Sequence, residues 1–270
     1  MKRQTLSDVA TGSRKLPNRV LFHGLPGIGK TSWAAQAPSP LDLLSPGETG
    51  LHTLMDSGIV PTTIPNIEVA DWESLIGLVR ELQTSDHKYR CLVLDTIDGF
   101  IDLANRYVCR TMYGGDMGEA GFMSYQRGYE SVAMGPTREL LSELDKLREL
   151  RGMGIILLAH CEISNFKNPE GPDYDRYMPA INKRSWKLIQ AWSDIVLFGT
   201  RVVHVEKERA DRKAKAQGGD VRIMETEHSA TADAKNRHNL PPVIEMGNSP
   251  AEAWANFISA LKHERKPTDA

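Results

Sequence analysis

Continuous apolar runs alternate along this chain with stretches in which apolar residues return every three or four positions. A short apolar strand leads into Gly24, CLVLD spans 91–95, GIILLA spans 154–159 and DIVLFGT spans 194–200. Runs without alternation belong to strands covered on both faces, so these predict a parallel sheet. LDLLS at 41–45 is a shorter candidate of the same kind. Between the strands, Trp72, Leu75, Ile76, Val79 and Leu82 recur at helical spacing behind Asp71, a predicted N-cap. Further helical stretches fall at about 98–112, 122–151 and 182–192, and AEAWANFISALKH behind Pro250 predicts a C-terminal amphipathic helix. Residues 46–70, 114–121 and 161–180 break the periodicity with Gly, Pro and polar residues and read as loops. RVVHVE at 201–206 and VRIMETE at 221–227 pair as an antiparallel hairpin, and PPVIEMG offers a last short strand. The class is therefore α/β, a mostly parallel central sheet flanked by helices with a C-terminal hairpin.

Composition narrows this picture. A chain of 270 residues with a net charge of −2 is large enough for one α/β domain and carries no global field that would draw in nucleic acid. Three cysteines with no CxxC spacing fit a reducing compartment and argue against a structural metal. No apolar run approaches the ~18 residues of a membrane span and no signal-peptide core is visible, so a cytoplasmic protein without membrane contact is expected. The division read from the chain is an N-terminal extension (1–17), a core (18–247) and a C-terminal helix and tail (248–270).

The chemistry begins where the first strand ends. LFHGLPGIGKTSW at 21–33 places Gly24, four residues, Gly29, Lys30 and Thr31 between a strand and a helix, the phosphate-binding P-loop. Its glycines let backbone N–H groups surround a triphosphate, Lys30 reaches the β and γ phosphates, and Thr31 offers its hydroxyl to Mg²⁺. The nucleotide-binding set is Gly24, Pro26, Gly27, Ile28, Gly29, Lys30, Thr31 and Ser32, with ATP and Mg²⁺ as the expected cofactors. Asp95 closes a buried strand downstream and is the second predicted metal residue; Asp98, already inside the turn, is the weaker choice. Glu48, following the strand at 41–45, is the candidate for positioning the attacking water. His160 ends GIILLA, where strand ends converge on a ligand crevice, and can report the γ phosphate to the residues that follow. Lys235 and Arg237 lie two residues apart and project to one side if extended, as a pair of cations able to stabilise a transferring phosphoryl group.

The order of these features resembles the RecA core. LPGIGKTSWAAQAP, LVLDTIDGF, IILLAH and AKNRHNLP together look like the phage ATP-binding proteins related to RecA, the Sak-type single-strand annealing group, over residues 18–247. The resemblance implies a RecA-like P-loop ATPase that is oligomeric, binds single-stranded DNA in phage recombination, and completes each ATP site with Lys235 and Arg237 of a neighbouring subunit. It also implies that loops 114–121 and 161–180 face DNA, with Phe166, Lys167, Tyr174, Arg176 and Tyr177 as contacts. RecA has glutamine at the place of His160 and a long N-terminal oligomerisation region that is missing here. Those departures favour annealing, or loading assisted by a single-strand DNA-binding protein, over strand exchange. A P-loop switch that gates a protein partner and a helicase-type motor are the alternatives. The charged stretch KERADRKAKAQGGD carries Lys207, Arg209, Arg212, Lys213 and Lys215 against Glu208 and Asp211, with Glu206 just before it and Asp220 at its end, and reads as a solvated hairpin tip ahead of a DNA contact.

Overall fold

The computed structural model describes Thr5, Val9, Thr11, Gly12 and residues 15–206 and 215–262. Residues 207–214 of the charged stretch lie outside the described residues. The strands are β1 (Arg19–Gly24), β2 (Pro40–Leu44), β3 (Asn66–Glu68), β4 (Cys91–Asp95), β5 (Gly154–Phe166), β6 (Tyr174–Pro179), β7 (Ile195–Glu206), β8 (Lys215–Glu225), β9 (Lys235–Asn236) and β10 (Val243–Glu245). The helices are α1 (Lys30–Ala34), α2 (Gly50–Asp56), α3 (Trp72–Thr84), α4 (Ile97–Met112), α5 (Arg127–Val132), α6 (Arg138–Arg151), α7 (Lys183–Trp192) and α8 (Pro250–Lys262). Across the sheet the order is β10-β8-β7-β1-β5-β4-β2-β3, with β6 beside β5 and β9 beside β7. From β7 to β3 every neighbouring pair is parallel, whereas β7–β8 and β8–β10 are antiparallel. This is the mostly parallel sheet with a C-terminal hairpin that the sequence predicts. Among the described residues no helix is long and apolar enough to cross a membrane.

The absence of alternation in the central strands has a direct cause. Leu92, Leu94, Ile155 and Leu157 face a core built by α3, α4, α6 and α7, while Cys91, Val93, Ile156 and Leu158 face a second core containing Trp33 of α1 and Phe257 of α8. At the edge of the sheet, α2 packs Leu51 and Met55 against Leu44 and Ala35. Asp71 caps α3 as predicted, its Oδ1 accepting from the Ser74 backbone N–H at 2.7 Å.

Three stretches differ from the sequence reading. Residues 161–166 and 174–179 are strands, not a loop: β5 runs on past His160 and pairs antiparallel with β6 from Cys161↔Pro179 to Phe166↔Tyr174, leaving only 167–173 as the turn. The polar composition hid a hairpin paired outside the main sheet, whose β5 arm is largely exposed and whose β6 arm spends a buried position on an arginine, Arg176. The Gly- and Pro-rich stretch 46–70 contains α2, whose apolar contacts are too few for periodicity to register. The helix expected over 122–151 is divided by a π-turn at 133–137 that accommodates Pro136, which has no N–H to give to the ladder.

One core group is unusual. Asp42 of β2 is fully buried, and neither carboxylate oxygen has a hydrogen-bond partner among the described residues. Burial, then the charge of Asp95, pushes its carboxyl up to about 8. A folded-state value above the unfolded one means that this group's contribution is fully present below the ordinary carboxylate range. It is lost as pH rises through about 8. The thermal midpoint of the wild type should therefore fall relative to that of Asp42→Asn between pH 4 and 8. Parallel midpoint curves would show that the carboxyl is already ionised in the fold.

Candidate nucleotide site

The carboxyl ends of β1, β2 and β4 meet the middle of β5, at His160, along one edge of the sheet. Gly24, the last residue of β1, lies in register with His160 on one side and Gly199 of β7 on the other. A Cβ at Gly24 would stand 2.3 Å from the Gly199 carbonyl oxygen, so the chain can leave the sheet this tightly only with glycine. Gly27 and Gly29 take φ of 71° and 107°, the left-handed region that a loop folding back over its own N–H groups requires.

The Lys30 side chain is buried, and its Nζ donates to the carbonyls of Gly24 at 3.1 Å and Leu25 at 3.5 Å. Burial lowers its pKa, opposed by surrounding charges that include Asp95, Asp98 and Glu48. Thr31 donates its hydroxyl to Asp95 Oδ2 at 2.7 Å. Asp95 is itself buried at the end of β4, and desolvation pushes it up to about 6 against the pull of that hydroxyl. Ser45 ties the ends of β2 and β4 together: its N–H donates to the Asp95 carbonyl at 2.8 Å and its hydroxyl accepts from the Thr96 N–H at 3.2 Å. Glu48 follows β2, and its Oε1 accepts from the Gly50 N–H at 2.8 Å. His160 is fixed twice by Asp98, which accepts from the His160 N–H at 3.0 Å and pairs with Nδ1 at 2.8 Å. That hydrogen bond is the largest influence on the imidazole and pushes its pKa up. Lys30, Thr31, Glu48, Asp95 and His160 all line one cavity of about 760 Å³, together with Pro26, Gly27, Gly29 and Ser32. Its remaining wall comes from α2, Arg222 of β8 and Asn248–Pro250.

Other candidates from the sequence lie elsewhere. Lys235 sits in β9 against the first residues of β7, at the end of the sheet away from the P-loop. Its Nζ donates to the carbonyls of Gln190, Ala191 and Ser193 at 2.6, 2.9 and 2.7 Å, closing the C-terminus of α7. Burial and then Arg237 lower its pKa to about 8. Arg237 is half exposed, donating to the Ala191 carbonyl at 3.2 Å and meeting Asp194 at 3.4 Å. Within one subunit, neither cation reaches the cavity.

The five residues read as DNA contacts share the β5–β6 hairpin but divide into two groups. Phe166 and Tyr174 pair their rings at 5.2 Å near its end, and exposed Lys167 meets Asp173 at 2.5 Å. Arg176, by contrast, is buried and donates to Asp233 at 2.6 Å, and Tyr177 stacks on Phe198 at 5.3 Å. Those two side chains bind the hairpin to the body. Sequence reasoning missed Asp98 as the partner of His160, and Ser45, Asp233 and Arg222 altogether. Of these only Asp98 had a local signal, its place one turn beyond Asp95.

A glycine loop, its buried lysine and a threonine–aspartate pair at the carboxyl ends of a parallel sheet define a P-loop ATPase core. The chain belongs to the AAA-domain family, whose model matches residues 16–238. No curated protein matches it. Similar solved structures include that of the RadB recombinase, at 9% identity and a TM-score of 0.46, with 88% of this chain and 90% of that one covered.

Proposed function

We propose that the protein is a RecA-like ATPase that uses ATP and Mg²⁺, shares its ATP sites between subunits of an oligomer, and binds single-stranded DNA in recombination, by annealing or in a recombinase-like way. The observation carrying this reading is the 2.7 Å contact between the Thr31 hydroxyl and Asp95 inside the cavity beside Lys30. Two adjacent hard oxygen donors, one anionic, suit Mg²⁺, which at such a site neutralises charge on the β and γ phosphates. Lys30 leaves its loop carbonyls for those phosphates, and Glu48 orients the attacking water. Asp98 pairs with Nδ1, which pushes the His160 pKa up and aims the ring, so that a protonated imidazole can donate from Nε2 to a γ-phosphate oxygen. Because His160 lies on the strand that becomes the hairpin, loss of that contact is transmitted to Phe166, Lys167 and Tyr174. Those three are the residues of the hairpin we assign to DNA, by stacking and by charge. Lys235 shapes the end of α7, and Arg237 is the cation assigned to the ATP site of a neighbouring subunit. Residues 18–247 form the ATPase core on this reading, with 1–17 and 248–270 as its extensions.

ATP turnover measured with and without a thymidine homopolymer tests the assignment. Stimulation of several-fold that fades as salt is raised is the expected result. Turnover that ignores the polymer, with no binding at low salt, would remove DNA from the function and leave a nucleotide switch acting on a protein partner.

A further inference from the structure

The cavity has two sides with different chemistry. Thr31, Asp95, Glu48 and His160 gather on one, and they mark where the β and γ phosphates of the proposed nucleotide lie. Arg222 stands on the other, against the opposite face of the P-loop. Its Nη1 would be 3.2 Å from a Cβ at Gly29, so a side chain there would crowd the guanidinium and push it aside by a few tenths of an ångström. Its hydrogen-bond partners among the described residues are both neutral carbonyls, Ile28 at 3.4 Å and Gly247 at 3.0 Å. A half-buried guanidinium lining this cavity with neutral acceptors as its partners is poised for an anion.

The wall beside it is built rigidly. Ser249 Oγ accepts from the Glu252 N–H at 3.1 Å while Glu252 accepts from the Asn248 N–H at 2.8 Å, a reciprocal cap that opens α8. The Met246 N–H donates to the Arg222 carbonyl at 2.9 Å, which ties β8 to this wall.

Building on the proposed ATP site, we propose that Arg222 is a further nucleotide-binding residue that contacts the α-phosphate from within the same subunit, next to a nucleoside seat walled by residues 247–250. A nucleotide thereby spans from the strand ends of the parallel sheet to the antiparallel hairpin. Pyrophosphate, which occupies only the β and γ positions, should not sense Arg222.

Calorimetric titration of the full chain with Mg²⁺-ADP and with Mg²⁺-pyrophosphate tests this in the wild type, Arg222→Gln and Arg222→Lys. The expected result is that Arg222→Gln weakens ADP by about tenfold, that Arg222→Lys recovers part of it, and that pyrophosphate changes by less than about twofold. Thermal melts of each variant establish that it is folded. Equal loss for both ligands would overturn the proposal, because it would make Arg222 a clamp of the P-loop itself. ADP binding that matches the wild type in both variants would also overturn it. A wild-type protein that binds neither ligand would instead remove the ATP-site reading on which the proposal stands.

Discussion

Lys30→Met is expected to lower ATP turnover by at least about 100-fold while leaving the thermal midpoint unchanged or raised. The two halves of this expectation have different causes. Turnover falls because charge developing on the transferring phosphoryl group loses the cation that the P-loop holds ready for it. The fold does not suffer, because the Lys30 ammonium is buried against the carbonyls of Gly24 and Leu25 and burial already disfavours its charged form. Methionine follows the same path without that desolvation cost. Turnover within about tenfold of wild type would mean that hydrolysis does not run through the P-loop. A midpoint lowered by several degrees would make Lys30 a structural tie of the loop first.

Arg176→Ala should cost about 3 kcal/mol of stability, read as a shift in the urea midpoint. The Arg176 and Asp233 side chains are 3% and 9% exposed, and removing Arg176 takes from the buried carboxylate its guanidinium partner. Asp233 is a junction as well as a partner. Its carboxylate also accepts from Trp186 Nε1 at 3.2 Å, and its backbone carbonyl meets Nε2 of the fully buried His23 at 2.7 Å. Burial lowers His23 to about 4, so the ring stays neutral. Replacing both partners, as Arg176→Met with Asp233→Leu, should return much of the loss. If Arg176→Ala stays within about 1 kcal/mol of wild type and loses single-stranded DNA binding, the guanidinium faces nucleic acid after all.

What could be read in advance follows from how local each signal is. Glycine spacing, the acid closing CLVLD and the capping Asp71 are set by a few neighbouring residues, and the P-loop, β4 and α3 were legible for that reason. His160 was legible as a strand-end histidine, yet its pairing with Asp98 was not, because α4 brings the carboxylate back across 62 residues of sequence. Arg176 shows the opposite failure. Beside Tyr174 and Tyr177 it has the composition of a DNA contact, and only the fold reveals Asp233 opposite it. Lys235 and Arg237 were legible as a pair of cations, but not as ones folded onto the end of α7 and Asp194. Arg222 carries no motif: its position depends on where β8 crosses the P-loop.

The long strand β5 has a mechanical consequence. Its first half is gripped on both faces, Ile155 and Leu157 by one core and Ile156 and Leu158 by the other, and its second half projects as one arm of the hairpin. His160 sits where the strand leaves the two cores, and the facing strand β6 is held to the body by Arg176 and Tyr177. At the rise of an extended strand Phe166 lies about 20 Å beyond His160, past the positions paired with both of those anchors. A small displacement at His160 therefore reaches Phe166, Lys167 and Tyr174 only through that anchored stretch of the hairpin.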